Sequence, residues 1–235
     1  MEYVVLQHAH VTASEASAGL DDAAAFVDTV TRGGGTVLDH LPLMPPRTAR
    51  TLRWQDDDVV EVEGPADLAP QPLTGVFVIL ASDLDQAIEW CSGLAGTVEI
   101  RPVVTDDEPS GPTEPRPAPE GCRAVALLHG DEDVWRNADD RTRDEVYARF
   151  GRWASEVDHA GARLWGGHEL ADSTSATTLR RPGTDTRITD GPFAETVEQL
   201  SGYFLLDAPS LDAIVGLMRG LPGGIVEVRA VAVQT

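Results

Sequence analysis

The stretch TDGPFAETVEQLSGYFLLD, Thr189–Asp207, has a worn counterpart earlier in the chain, VEGPADLAPQPLTGVFVIL, Val62–Leu80. Each runs from a Gly-Pro turn to a glycine that opens a short apolar strand. Displacing Leu43–Leu94 by 127 positions lays it on Leu170–Leu221 without a gap, with 16 identities in 52 pairs, where roughly one in fifteen would match by chance at ordinary composition. The identities include Thr51-Leu52-Arg53 with Thr178-Leu179-Arg180, Gly64-Pro65 with Gly191-Pro192, and Leu84-Asp85 with Leu211-Asp212. Slightly out of that register, TVEIR (Thr97–Arg101) matches IVEVR (Ile225–Arg229), and VVLQHA from Val4 matches VALLHG from Val125. The chain reads as one unit written twice, residues 1–104 and 122–235, with the first copy degenerate.

Between the copies, residues 105–121 are rich in proline and acid, a composition that stays extended and reads as a tether. Within the second copy, Ala124–Leu128 reads as a strand and Thr142–Asp158 as a helix, whose Val146, Tyr147, Phe150, Trp153, Ala154 and Val157 recur at helical spacing. Gly161 ends that helix and Ala162–Trp165 begins the next strand. Thr177–Arg181 and Thr186–Thr189 form a hairpin around Pro-Gly; strand Gly202–Asp207, helix Ser210–Arg219 and strand Ile225–Val233 come after it. The order is β-α-β-(hairpin)-β-α-β, an α+β, ferredoxin-like unit with an inserted hairpin. Helices on one side of such a sheet leave the other side apolar, so two tandem units are expected to bury these faces on each other as a pseudo-dimer. A monomeric pseudo-dimer or a homodimer of the whole chain satisfies this.

Net charge is −21, from 39 acidic and 18 basic residues, and every basic residue is arginine. That balance repels phosphate backbones, so no direct nucleic-acid partner is expected. The absence of lysine excludes Schiff-base, P-loop-lysine and Ser-Lys chemistry. Gly33-Gly34-Gly35 follows a helix rather than a strand and reads as a cap and turn, not a phosphate cradle. Cys91 and Cys122 lack metal-ligand spacing, and the histidines lie mostly one per element, so neither a metal nor a cofactor is expected. His8 and His10 share one strand face, a weak metal pattern at best. No apolar run is long enough to span a bilayer and MEYVVLQHAH lacks a basic leader, so the expectation is a cytoplasmic protein with no membrane partner.

At Asp190–Thr196, Gly202–Leu206, Leu211-Asp212 and Val226–Arg229 the sequence resembles the DGPF branch of the YCII-related family; Leu127–Arg136, LLHGDEDVWR, is similar to the start of that family's domain. The resemblance covers the second copy strongly and the first weakly. It implies a dimeric α/β-barrel-like assembly related in fold to muconolactone isomerases. It also implies cofactor-free chemistry like that of a hydroxyquinone dehydrochlorinase in the wider group, thought to use a first-helix His with an Asp. Neither Asp21–Arg32 nor Thr142–Asp158 contains a histidine. A further implication is association with an extracytoplasmic-function sigma factor.

Two functions are expected on these grounds. One is a cofactor-free isomerase or lyase acting on a small cyclic or aromatic acid through Asp190, with His129 or His168 as a base of near-neutral pKa. The other is a non-catalytic ligand-binding or regulatory protein acting with a sigma factor. Phe193 and Glu195 are candidates for the mouth of a ligand cavity, with Phe193 as its apolar lid, and Arg180 and Arg229 for holding an anion. Asp190 also has a structural reading as the acceptor of an Asx-turn. The first copy keeps Glu63-Gly64-Pro65 but has Ala66, Asp67 and Leu68 where Phe193, Ala194 and Glu195 stand later. Scaffold residues are therefore expected in both copies and ligand-facing side chains in one.

Overall fold

The computed structural model describes residues 1–9, 18–55, 58–104, 116–181 and 185–232. The first part of the chain holds β1 (Glu2–His8), α1 (Ala18–Arg32), β2 (Thr36–Pro42), β3 (Arg50–Gln55), β4 (Asp58–Glu63), β5 (Leu73–Leu80), α2 (Leu84–Cys91) and β6 (Thr97–Pro102). The later part holds β7 (Cys122–Asp131), α3 (Glu132–Arg136), α4 (Asp140–His159), β8 (Arg163–Glu169), β9 (Thr177–Arg180), β10 (Arg187–Asp190), β11 (Glu198–Ala208), α5 (Leu211–Met218) and β12 (Ile225–Ala230). The expected α+β order is present in both halves, with one addition. Asp131 caps the short α3 by accepting from the N–H groups of Asp133 and Val134.

Two antiparallel six-stranded sheets result, in the orders β10-β9-β6-β1-β5-β2 and β4-β3-β12-β7-β11-β8. In each sheet four consecutive strands, β6-β1-β5-β2 or β12-β7-β11-β8, have the ferredoxin-like order and come from one half of the chain. The two strands at the opposite edge, β10-β9 or β4-β3, come from the other half. Strand β6 pairs with β9 through Thr97↔Arg180 to Ile100↔Thr177, and β12 pairs with β3 through Ile225↔Arg53 to Val228↔Arg50. The hairpins are therefore exchanged. One compact unit consists of Met1–Pro46, Ala69–Pro117 and Leu170–Glu195, called unit 1 below; unit 2 consists of Arg47–Leu68, Ala118–Glu169 and Thr196–Thr235. Sequence periodicity identifies each hairpin but not the sheet that receives it.

The exchange reaches the cores. In unit 1, α1 and α2 bring Phe26, Val30, Ala87 and Trp90 against Tyr3, Phe77, Ile79 and Ile100, and Leu179 of the incoming β9 joins them. In unit 2, Trp153 and Val157 of α4 with Ile214, Val215 and Met218 of α5 pack on Ala126, Leu206, Val226 and Val228, and Leu52 of β3 joins those. Burial of such side chains contributes about 1.5–3 kcal/mol each. Only Trp153 and Val157 of α4 are fully buried, so most of that helix lies along the surface.

Helix ends follow their sequences. Asp83 and Ser210 cap α2 and α5, accepting from Gln86 N–H and Ala213 N–H, and Asp139 caps α4 through Thr142 N–H. Helix α4 runs past the expected Asp158 to end on His159, whose Nδ1 lies 2.6 Å from the Ser155 carbonyl oxygen. Gly33 and Gly35 do more than turn the chain: Trp90 lies so close that a Cβ at either would overlap its ring. Of the tether 105–121, residues 105–115 lie outside the described residues, as does His10. At the tether's described end, Arg116 pairs with Asp39 of β2 at 2.8 Å, with both side chains largely buried. No helix among the described residues is long and apolar enough to cross a membrane.

Candidate functional site

Each exchanged hairpin leaves its last strand through a Gly-Pro turn. Gly191 and Gly64 take φ of 97° and 106°, a region open to glycine without a Cβ clash. Their N–H groups donate to the Ala176 and Ala49 carbonyls, each at 2.8 Å. The hydroxyl of Thr178 donates to the Gly191 carbonyl and that of Thr51 to the Gly64 carbonyl, again each at 2.8 Å. The Phe193 N–H donates to Oε2 of Glu99 at 2.7 Å, and the Ala66 N–H to Oε2 of Glu227 at 2.8 Å. Finally, Arg180 donates to the Phe193 carbonyl at 3.2 Å and Arg53 to the Ala66 carbonyl at 2.7 Å. The repeated Thr-Leu-Arg and Gly-Pro thus form a fastening that docks each hairpin exit on the receiving unit.

Its anchor was missed in the sequence. Glu99 and Glu227 come from the VEIR and VEVR strands and are buried beside Arg101 and Arg229, each about 1% exposed. Arg101 pairs with Glu99 at 3.3 Å and also donates to the Ala171 carbonyl; Arg229 pairs with Glu227. A buried carboxylate is tolerable only with such partners, and its bond from a backbone N–H is charge-assisted. The recurrence of Val-Glu-X-Arg in both copies was the available signal. Arg229, an expected anion holder, is instead part of this buried pair.

The other expected site residues divide between the units. Asp190, Phe193, Glu195 and Arg180 belong to unit 1; His129, His168 and Arg229 belong to unit 2. Asp190 is exposed at the end of β10 opposite Thr177, and its carboxylate makes no hydrogen bond among the described residues, so the Asx-turn is not formed. Glu195 is also exposed. His129 lies on β7 opposite Leu200 and Ile225, and His168 on β8 with its ring 5.5 Å from that of Tyr203. Phe193 is not a lid. It is 8% exposed, with its ring 4.9 Å from that of His8 and the Arg180 guanidinium 5.2 Å from its centroid.

Beside this plug, unit 1 has an open cavity of about 510 Å³ lined by Ala9, Gln71, Gly96, Thr97, Arg180, Arg181 and Arg187. The arginines come from the exchanged hairpin, and the rest from the strand ends and loops of the receiving unit. Gln71 also fixes His8, whose Nδ1 is 3.1 Å from the Gln71 carbonyl oxygen. Arg181 and Arg187 give no signal within their own copy, because charged residues flanking a turn read as a solvated surface.

Trp153 is buried, whereas Trp165 lies under the Arg163 guanidinium, 3.8 Å from its ring centroid. Trp135 meets Tyr147 edge-on, and the Tyr147 hydroxyl donates to Glu169. Both cysteines are free thiols, and burial pushes each above its ordinary pKa, far above for Cys91. Among the described residues no group of three or more His, Cys, Asp or Glu side chains is placed to hold a metal ion.

Residues 124–233 belong to the YCII-related domain family. The chain is also 44% identical over 68 residues to an uncharacterised protein of Rhizobium meliloti (strain 1021), a match covering 27% of this chain and 55% of that one. It therefore spans about half the length of that relative. Among solved structures, two mutant chlorite dismutases of Candidatus Nitrospira defluvii align over 99% of this chain and 91% and 92% of theirs, at 8% identity, with TM-scores of 0.46 and 0.44.

Proposed function

We propose that the protein is a tandem DGPF-type member of the YCII-related family, a pseudo-dimer of ferredoxin-like units, and that it binds a small ligand in the unit 1 cavity without transforming it. The cavity lining carries this reading. Among the described residues it offers arginine, threonine and glutamine but no Asp, Glu or His. Arginine stays protonated at neutral pH and does not serve as a base there. Among the described residues the cavity thus has groups that hold and orient, and none of near-neutral pKa that moves a proton. Its volume falls within the range typical of small-molecule sites. Asp190 belongs to unit 1 and both histidines to unit 2, and Asp190 is exposed, with no hydrogen bond from its carboxylate among the described residues. Catalysis is the weaker reading, and a regulatory role with a sigma factor would lie downstream of ligand binding.

A screen of small organic acids and neutral aromatic compounds by NMR tests this. Ligand should perturb the amides of Gly96, Thr97 and Arg187, and be recovered unchanged after prolonged incubation. Conversion of the ligand by wild-type chain, abolished in Asp190→Asn, would replace binding with catalysis. Perturbations confined to unit 2 would move the site.

A further inference from the structure

We infer that the unit 1 cavity takes a small organic dianion, a phosphate monoester or a dicarboxylate, held between Arg181 and Arg187. This rests on the reading of the cavity as a ligand site and adds the charge and class of the ligand.

The first observation is strand register. Arg187 lies directly opposite Arg180 in the β9–β10 pair, with Arg181 the next residue along. Like charges directly opposite across an antiparallel pair are destabilising, so an unneutralised pair works against the hairpin carrying it. Arg180 is turned to the Phe193 carbonyl and ring. Among the described residues neither the Arg181 nor the Arg187 side chain has an ion pair or hydrogen bond, and no carboxylate lines their cavity.

The second observation is how the other arginines are treated. This chain has about two acids per arginine, so partners are plentiful. At the surface of unit 2, Arg50 meets Glu61, Glu63 and Asp212, and Arg219 meets Glu61. Those acids stand on or beside the other exchanged hairpin. Three arginines converging on one cavity that no carboxylate lines among the described residues are thus a local departure in a strongly acidic protein.

The third observation is the counterpart site. At the same positions of the β3–β4 hairpin stand Arg53, Trp54 and Val60, with Val60 directly opposite Arg53. One cation remains where the β9–β10 hairpin has three. The remaining arginine is the one that donates to the loop carbonyl in both units, which assigns it to the fastening. The two additional arginines have no part in the fastening. Planar guanidinium forks match carboxylate and phosphate oxygens in bidentate fashion, and a concave wall strengthens their field toward an incoming anion. The Gln71 side chain and the Thr97 hydroxyl line the same cavity and supply neutral polar contacts, while Ala9 and Gly96 give the ligand's organic part an uncharged wall.

The test is isothermal titration of the full chain with inorganic phosphate, with phthalate, and with neutral benzamide, at low and high salt. One or both dianions should bind, with affinity falling as salt rises, and benzamide should bind at least about tenfold more weakly. Arg187→Val installs the residue that β4 carries at this position. It should weaken the dianion about tenfold or more, Arg187→Lys should recover part of the loss, and Arg219→Ala should change nothing. Phosphate binding without phthalate would fix the ligand as a phosphate monoester, and the reverse as a dicarboxylate. Tight benzamide binding unaffected by Arg187→Val would overturn the dianion while leaving a ligand site in place. Failure of every probe to bind would remove the site itself. Dianion binding that survives Arg181→Ala and Arg187→Val together, with the unfolding curve unchanged, would place the anion elsewhere and sink the inference.

Discussion

The loops Gly64–Asp67 and Gly191–Ala194 use the same four fastening bonds and differ in the side chain carried just past the proline. In unit 1 that residue is a buried phenylalanine between a histidine and an arginine. In unit 2 it is Ala66, also buried at 2% exposure, and Asp67 after it adopts a left-handed backbone with φ of 54°. An aspartate tolerates that region better than most residues with a Cβ. Identity between the copies therefore marks the backbone fastening, and difference marks what fills the space around it. Function is to be sought in the differences.

The largest expected effect tests the exchange. A chain carrying a protease site between residues 105 and 115, cut after folding, should elute as one particle with the uncut mass, because each piece supplies strands to both sheets. Pieces that separate without denaturant would break the exchanged topology. Next, Glu99→Gln and Glu227→Gln should each destabilise the protein by about 3–5 kcal/mol in denaturant unfolding, since each removes the charged half of a buried ion pair. If one substitution is tolerated and the other is not, the fastenings are not equivalent.

Phe193→Ala should cost about 3 kcal/mol or more in the same measurement, as for other buried aromatic side chains, even though Ala66 stands at the matching position. Ala66→Phe should be destabilising too, by about 1–3 kcal/mol, because a filled space has no room for the ring. A neutral outcome for Phe193→Ala would return that residue to the ligand site.

The smallest effect is in pH. His40 stacks on Phe77 with ring centroids 4.4 Å apart, and burial lowers its pKa, with Asp39 partly opposing the shift. The folded form thus resists protonation while the unfolded chain binds a proton near its ordinary pKa of about 6.5. This contribution to stability is full above that pH and declines as pH falls from about 6.5 through the lowered folded value. Gly167 takes the matching position in unit 2, opposite Phe204. Hydrogen exchange should show the loss first in β2 and β5, and His40→Gln should remove that component. Equal acid weakening of β8 and β11 would point to a different group.

Much of this was written locally in the chain. Runs such as VFVIL and YFLLD mark the inner strands, Ser210 with Ala213 marks a helix start, and Gly161 marks a helix end. The destination of the hairpins was not, because Val-Glu-X-Arg strands offer nearly the same receiving edge in either half. Phe193 was legible as part of a motif but not as core, since its neighbours are His8, from the distant strand β1, and Arg180, thirteen residues before it. Asp190 drew attention by its place in the motif and proved to be exposed. Arg181 and Arg187 become visible only when the two copies are compared position by position, as Trp54 and Val60 against two charges.

The exchanged hairpins also bear on inheritance. A change in residues 50–63 is felt by the sheet built from 122–230, and a change in 177–190 by the sheet built from 2–102. The two copies of the gene segment are thus not free to evolve as separate modules. Compensating substitutions should link Glu99 with the loop after Gly191, and Glu227 with the loop after Gly64, across more than ninety intervening residues. Deleting either copy would remove two strands from the sheet that the surviving copy builds, so the duplication, once exchanged, is hard to reverse.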